Sequence, residues 1–343
     1  MKPLPSSVVY NGARRRRGQQ GFGLVELMVA LVLGLILIGG TLSILLSNQQ
    51  AFRSNEGLAR VQENARIAFE LMAREIREAG GTPCGAKVVV NVVNNADTTW
   101  NLDWANGTLR GTGGASDLSM VDTGTAANER VAGTDAIQVM GASVGPGVRL
   151  TAHNTATAVI TVAATTHSIG TTDFVLVCDN TSAAITQVTS VDEDSIYHVA
   201  GGSTVPGNCV QGLHYTTTCG ASVDKAFQAG GFVTELVSGV WYVGNNDRGG
   251  TSLFRRSATS TDEIAEGVTD MQIHYLLPNP LSPTDLVNEW IDESWTHWAT
   301  IDWTSVVAVR LTLTLSSATA VGTDQAPLRR QLIHVVNLRN RSE

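Results

Sequence analysis

Few residues in this sequence stand in arrangements that do chemistry. Seven histidines, His153, His167, His198, His214, His274, His297 and His334, are the natural acid–base candidates. None falls in an H-E-x-x-H pair or beside a nucleophile elbow, and no phosphate-cradling or dinucleotide-binding glycine pattern is present. Asp192-Glu193-Asp194 and Asn245-Asn246-Asp247 carry oxygen ligands of the kind calcium takes. Each reads more simply as an exposed turn. Trp290, Trp295, Trp298 and Trp303 crowd one short window. Tryptophan is enriched at partner contacts, but packing under the last strands is the preferred reading. Four cysteines, Cys84, Cys178, Cys209 and Cys219, form no C-x-x-C and have no histidine at a zinc-finger offset. In an oxidising space they form disulfides. Three pairings are open; a local Cys209–Cys219 loop is the first choice, leaving Cys84 with Cys178.

The most telling charge is Glu26. It is the one charge in an apolar run from Phe22 to Leu46. As a single helix that run covers roughly 35 Å, enough to span a bilayer. Arg14-Arg15-Arg16-Arg17 precedes it, so the N-terminus faces the cytoplasm and the body faces out. A carboxylate inside hydrocarbon costs roughly 2.5–3.5 kcal/mol on insertion scales. A plain signal anchor leaves that cost unexplained. A secretory signal peptide fits worse, because the run is too long and no small-residue cleavage site closes it.

Gly21-Phe22-Gly23-Leu24-Val25-Glu26 resembles the type IV prepilin motif. The resemblance implies that a prepilin peptidase cuts between Gly21 and Phe22 and methylates Phe22, leaving Glu26 as the fifth mature residue. The cationic amine of Phe22 in a filament core then needs a counter-charge, and Glu26 of a neighbouring subunit supplies one. Removing residues 1–21, which hold Lys2, the four arginines and no acid, leaves 18 basic against 31 acidic residues. A body at about -13 repels nucleic acid, so no nucleic-acid partner is expected.

Beyond the apolar run the pattern turns amphipathic. Leu58, Val61, Ala65, Ala68 or Phe69, Met72, Ile76 and Ala79 recur at three- and four-residue steps. Gly80-Gly81-Thr82-Pro83 stops the helix. After it the chain reads as strands and turns. The strands fall at 87–93, 135–140, 158–163, 174–178, 184–190, 231–243, 252–256, 268–277, 305–315 and 331–339. Asn94 to Gly114, polar and glycine-rich, is expected to be a long surface loop.

A second resemblance lies near the C-terminus. Leu253-Phe254-Arg255-Arg256, the run from Ile264 to Tyr275, Val307-Ala308-Val309-Arg310-Leu311 and Leu338-Arg339-Asn340-Arg341 are similar to the PilW group of minor pilins. The expected fold is α+β. A long N-terminal helix, transmembrane then amphipathic, packs on an antiparallel sheet, with a large β-rich insertion; the segment from Cys84 to about Gly230 is covered by neither resemblance. The expected organisation is a leader at 1–21, a membrane-spanning half at 22–46, an amphipathic half at 47–80 and a head at 81–343.

The resemblance implies a minor pilin that joins other minor pilins, primes the filament and sits at its tip. Its implied partners are the major pilin, the prepilin peptidase, the inner-membrane assembly platform and a large tip adhesin. A minor pseudopilin of a type II secretion system is the runner-up, and a membrane-anchored periplasmic enzyme the alternative of another class. No cofactor, metal or catalytic residue is expected.

Overall fold

The computed structural model describes residues 21, 23–143, 145, 147–201, 203–279, 282–286, 290–317, 319–320 and 326–339; of 279 and 282–286 it describes the backbone alone. One helix runs from Leu24 to Glu78. Two compact units divide at Arg53 and Ser54.

In the first unit the helix buries nothing. Leu24, Val25, Leu35 and Leu37 are each at least two-thirds exposed, and the other large apolar side chains are more than half exposed. Leucine and methionine favour helix, and the segment is long and apolar enough to cross a membrane.

In the second unit the amphipathic pattern becomes a packed face. Val61, Ala65, Ala68, Met72, Ala73 and Ile76 are buried, and the alanines on this face let the helix backbone come close to the sheet. Fully burying a side chain such as Ile76 stabilises by roughly 1.5–3 kcal/mol. The helix ends at Gly80, whose φ of 73° is the left-handed cap conformation. Its N–H donates to Met140 O at 2.9 Å. A Cβ there would also lie 2.7 Å from Thr108 Oγ1, so glycine serves both the turn and the close approach.

Strand Phe232–Asn245 is the spine of a twelve-stranded sheet. Its Leu236–Tyr242 segment pairs with Ala136–Ala142, and Val240–Asn245 pairs with Thr251–Arg256, which pairs in turn with Thr261–Glu266. A separate three-stranded antiparallel sheet is formed by Val268–Leu276, Ala308–Ser316 and Arg329–Asn337. Both sheets and the helix share one core, which includes Trp241, Leu253, Met271, Leu311, Leu313 and Val336.

The other end of the spine belongs to a different core. Phe232–Glu235 pairs with Phe174–Cys178, and Phe232 and Val233 also pair with Val148–Arg149. Around them Leu150, Ile160, Val175, Val177, Ile196 and Val233 pack into a second cluster. Cys84–Cys178 (S–S 2.03 Å) ties the chain just past the helix to this module, and Cys209–Cys219 (2.06 Å) closes a local loop within it.

The expected α+β fold with a β-rich insertion is what the structure has, and within that β-rich stretch Leu109–Thr112 and Ala136–Ala142 join the sheet that the helix packs on. One expectation needs correction: Asn94 to Gly114 is no surface loop. Leu102 and Leu109 are fully buried, and Gly111 lies against the Tyr275 hydroxyl with no room for a side chain. The glycines that suggested a loop serve close packing.

Candidate functional site

The residues singled out for assembly lie at the helix start. Gly21 is exposed, and a Cβ added there would meet nothing within 4 Å. Phe22 and the Arg14–Arg17 tract lie outside the described residues. Leu27 N donates to Gly23 O at 3.1 Å, which closes the first turn. Glu26 stands in that turn, where the helix dipole favours an anion. It is exposed, has no ion pair or hydrogen bond among the described residues, and is surrounded along the helix by exposed apolar side chains. Such a surface requires lipid or other helices to cover it, and the lone carboxylate then requires a cation.

Further along, a three-residue junction fixes the helix on the sheet. Glu75 Oε1 accepts from Arg255 Nε at 2.7 Å, and Glu75 Oε2 accepts from Trp241 Nε1 at 2.8 Å. Trp241 is buried, so its N–H must find a partner, and the largely buried ion pair supplies one. Sequence reading missed Glu75. It borders Ile76 at the edge of the apolar stripe, but its partners lie 166 and 180 residues away, beyond any local signal.

The histidines do not converge on a catalytic arrangement. Two of them form a pair, His198 fully buried and His153 half-buried. His153 Nδ1 accepts from Phe227 N at 3.1 Å, which places the proton of the neutral ring on Nε2. That N–H faces His198 Nε2 at 3.0 Å, so His198 is protonated on Nδ1. His198 Nδ1 is buried and has no hydrogen-bond partner among the described residues. Burial pushes His153 down to about 4 and His198 down to about 3, with Lys225 adding to the effect on His153 and His153 to that on His198. Both rings are therefore neutral at pH 7. They lie 45 residues apart, His153 on strand Val148–Asn154 and His198 just past Ser195–Tyr197, and nothing local in the sequence announces the pair.

Asp192-Glu193-Asp194 forms an exposed turn, in which Asp192 Oδ2 accepts from the Tyr197 hydroxyl. Asn246 is buried and folds its own turn, accepting from Arg248 N and Gly250 N. Of the tryptophans, Trp295, Trp298 and Trp303 are half-buried against the helix-side core, and Trp298 and Trp303 meet edge-to-face at 5.2 Å. Trp290 lies beneath the Arg310 guanidinium at 5.0 Å. Packing accounts for the cluster.

Two family models match the chain. The prokaryotic N-terminal methylation motif matches residues 16–42. Type IV pilus-assembly protein W matches residues 240–340. Over these two stretches the chain is similar to type IV pilins of the PilW group. No curated protein and no solved structure matches it. The second match has a structural meaning. Residues 240–340 supply Trp241, Leu253, Arg255, Ala265, Met271, Ile273, Leu311 and Val336, which are the bed of the amphipathic helix. The two matches thus cover the apolar start of the long helix and the surface that receives its amphipathic part. Both families are structural rather than enzymatic.

Proposed function

We propose that the protein is a minor pilin, clipped between Gly21 and Phe22 and methylated on Phe22. It is held in the inner membrane by the apolar helix with its N-terminus cytoplasmic, then packed with other minor pilins and the major pilin into a complex that primes a filament and sits at its tip. The assembly platform extracts it from the membrane, and a large adhesin is the further partner at the tip. The match to a pilus-assembly family favours this over a secretion-system pseudopilin.

The observation that carries the reading is Glu26, a lone carboxylate on an otherwise apolar and wholly exposed helix surface. An anchor spans better without it. A filament uses it, because the buried amine of a neighbouring Phe22 needs that charge. Glu26→Leu removes an insertion penalty, so the precursor still inserts and is still cleaved. Breaking one side of a buried pair costs roughly 3–5 kcal/mol, so the variant's content in sheared filaments falls more than a hundredfold while its inner-membrane level holds. Wild-type levels in both fractions would refute the pairing. N-terminal sequencing of membrane-extracted protein tests the cleavage, and a mature chain still carrying Arg14–Arg17 would sink it.

A further inference from the structure

The three-stranded sheet ends in an open edge. Strand Arg329–Asn337 pairs with Ala308–Ser316 on one side and, among the described residues, with nothing on the other. Ser317 N donates to Leu328 O and Leu338 N donates to Val307 O, each at 2.9 Å. In an antiparallel ladder this phase turns the backbone groups of Leu332, His334 and Val336 inward. Those of Arg329, Gln331, Ile333, Val335 and Asn337 then face out. The same alternation places Leu332 and Val336 toward the helix-side core and leaves Ile333 63% and Val335 50% exposed.

Proteins normally guard such edges with bulges, prolines or charges along the strand. Thr261–Glu266, one of the terminal strands of the larger sheet, is guarded: its ladder has a bulge, and it carries Asp262, Glu263 and Glu266; the other terminal strands, Val89–Asn91, Leu109–Thr112 and Ser190–Val191, are at most four residues long. Arg329–Asn337 pairs without a register break, contains no proline and holds its charges at one end. A nine-residue regular edge left open, where the other terminal strands of the larger sheet are short or guarded, is built to receive a strand.

Charge selects the strand. Arg329, Arg330 and Arg339 are exposed and have no ion pair among the described residues, although the whole chain carries -8. We infer that Arg329–Asn337 accepts a β-strand from the head of a neighbouring pilin-type subunit, apolar at alternate positions and acidic where it meets Arg329 and Arg330. A basic, apolar surface also suits anionic lipid, but lipid leaves the row of outward N–H and C=O groups without directed partners. The inference rests on the filament reading for the identity of the neighbour, not for the edge itself.

The test uses the full-length chain in its own cells, with the photo-cross-linker p-benzoylphenylalanine at position 333. The expected product joins position 333 to an acid-bearing strand of another pilin-type subunit, and the same probe at the exposed Val223 yields none. Ile333→Pro removes an outward N–H that no internal bond uses, so the head folds with both disulfides formed, and filament incorporation falls at least tenfold. Ile333→Lys, which leaves the backbone donor in place, gives a similar loss, and Arg329→Glu with Arg330→Glu a several-fold one. Wild-type incorporation of both Ile333 variants, or no cross-link from wild-type filaments, overturns the inference. So does a cross-link to lipid alone, together with binding to phosphatidylglycerol vesicles that the Arg329→Glu, Arg330→Glu chain loses. If the wild-type chain is absent from filaments, the filament reading fails, and the cross-link from the inner membrane still decides the edge.

Discussion

The helix-packed region and the region carrying the two disulfides are built on opposite ends of one strand, Phe232–Asn245, and stabilised by different means. The first uses a continuous helical face, Val61 to Ile76, laid on strands of regular alternation such as Ala308–Ser316. The second has short strands, among them Ser190–Val191 and Ser195–Tyr197. It adds cross-links and buried polar groups: Cys84–Cys178, Cys209–Cys219, the His153–His198 pair, and Asn208 bonded to Thr186 and Gln187. A long periodic element buries enough apolar surface to hold itself. Short strands bury less each and rely on covalent and polar ties.

The largest expected break follows from that contrast. Cys84–Cys178 closes a loop 94 residues long, and Cys209–Cys219 one of 10. In the chain-entropy model the longer closure is worth about 4–5 kcal/mol and the shorter about 2–3. Cys84→Ser with Cys178→Ser should therefore lower the denaturant midpoint more than Cys209→Ser with Cys219→Ser. Hydrogen exchange should place both losses in the disulfide-bearing region. Equal losses from the two pairs would show that strain or residual structure, not loop length, sets their worth.

A break of about 2–5 kcal/mol is expected in the other region from Ile76→Ala, which opens a cavity under the helix. Its mark is faster exchange at Leu311 and Leu313 on the facing sheet, with Val175 and Val177 less affected. Uniform loosening of both regions would mean that the spine strand couples them into one cooperative unit.

The same contrast explains what the sequence revealed. The stripe from Val61 to Ile76, the stop at Gly80 and the alternation of Leu311, Leu313 and Leu315 are local patterns, and the structure bears each out. Strand Phe174–Cys178 also stands where it was expected, bounded by turns. The rest depended on partners far away in the chain. Gly111 looks like loop until Tyr275 is placed against it. Leu109–Thr112 and Ala136–Ala142 join the helix-side sheet because the spine strand pairs with Ala136–Ala142 from about a hundred residues onward, a register no window of sequence contains. At the start of the helix Glu26 was legible because a single charge breaks an apolar run. Glu75 was not, since its partners Trp241 and Arg255 come from remote strands.

The smallest effect at neutral pH, and the sharpest in direction, is expected from acid. In the disulfide-bearing region His153 is held down to about 4 and His198 to about 3, mainly by burial. The native state binds fewer protons there than the unfolded chain, whose histidines titrate near 6.5. Their neutral forms therefore add stability above 6.5 that is lost as pH falls from 6.5 toward 4. The charges facing the pair do not reverse the sign: the Lys225 ammonium opposes protonation, and Asp179 is paired with Lys225 at 3.0 Å, its carboxyl held below the usual range by bonds from Thr181, Lys225 and Ser182 despite its burial. In the helix-packed region the sign is opposite. Burial raises Asp135 to about 6, even though its Oδ2 accepts from Ile273 N at 2.7 Å. Its protonated form is favoured in the native state, so that contribution grows as pH falls from about 6 toward 3.8. Hydrogen exchange between pH 7.5 and 4.5, corrected for intrinsic rates, should show protection falling around Ile160 and Ile196 while it holds or rises around Met271 and Ile273. His153→Gln, with an amide oxygen placed to accept from Phe227 N, should flatten the first trend and leave the second unchanged. Parallel loss in both regions would mean that acid acts on the molecule as a whole and that the two buried sites do not set its pH response.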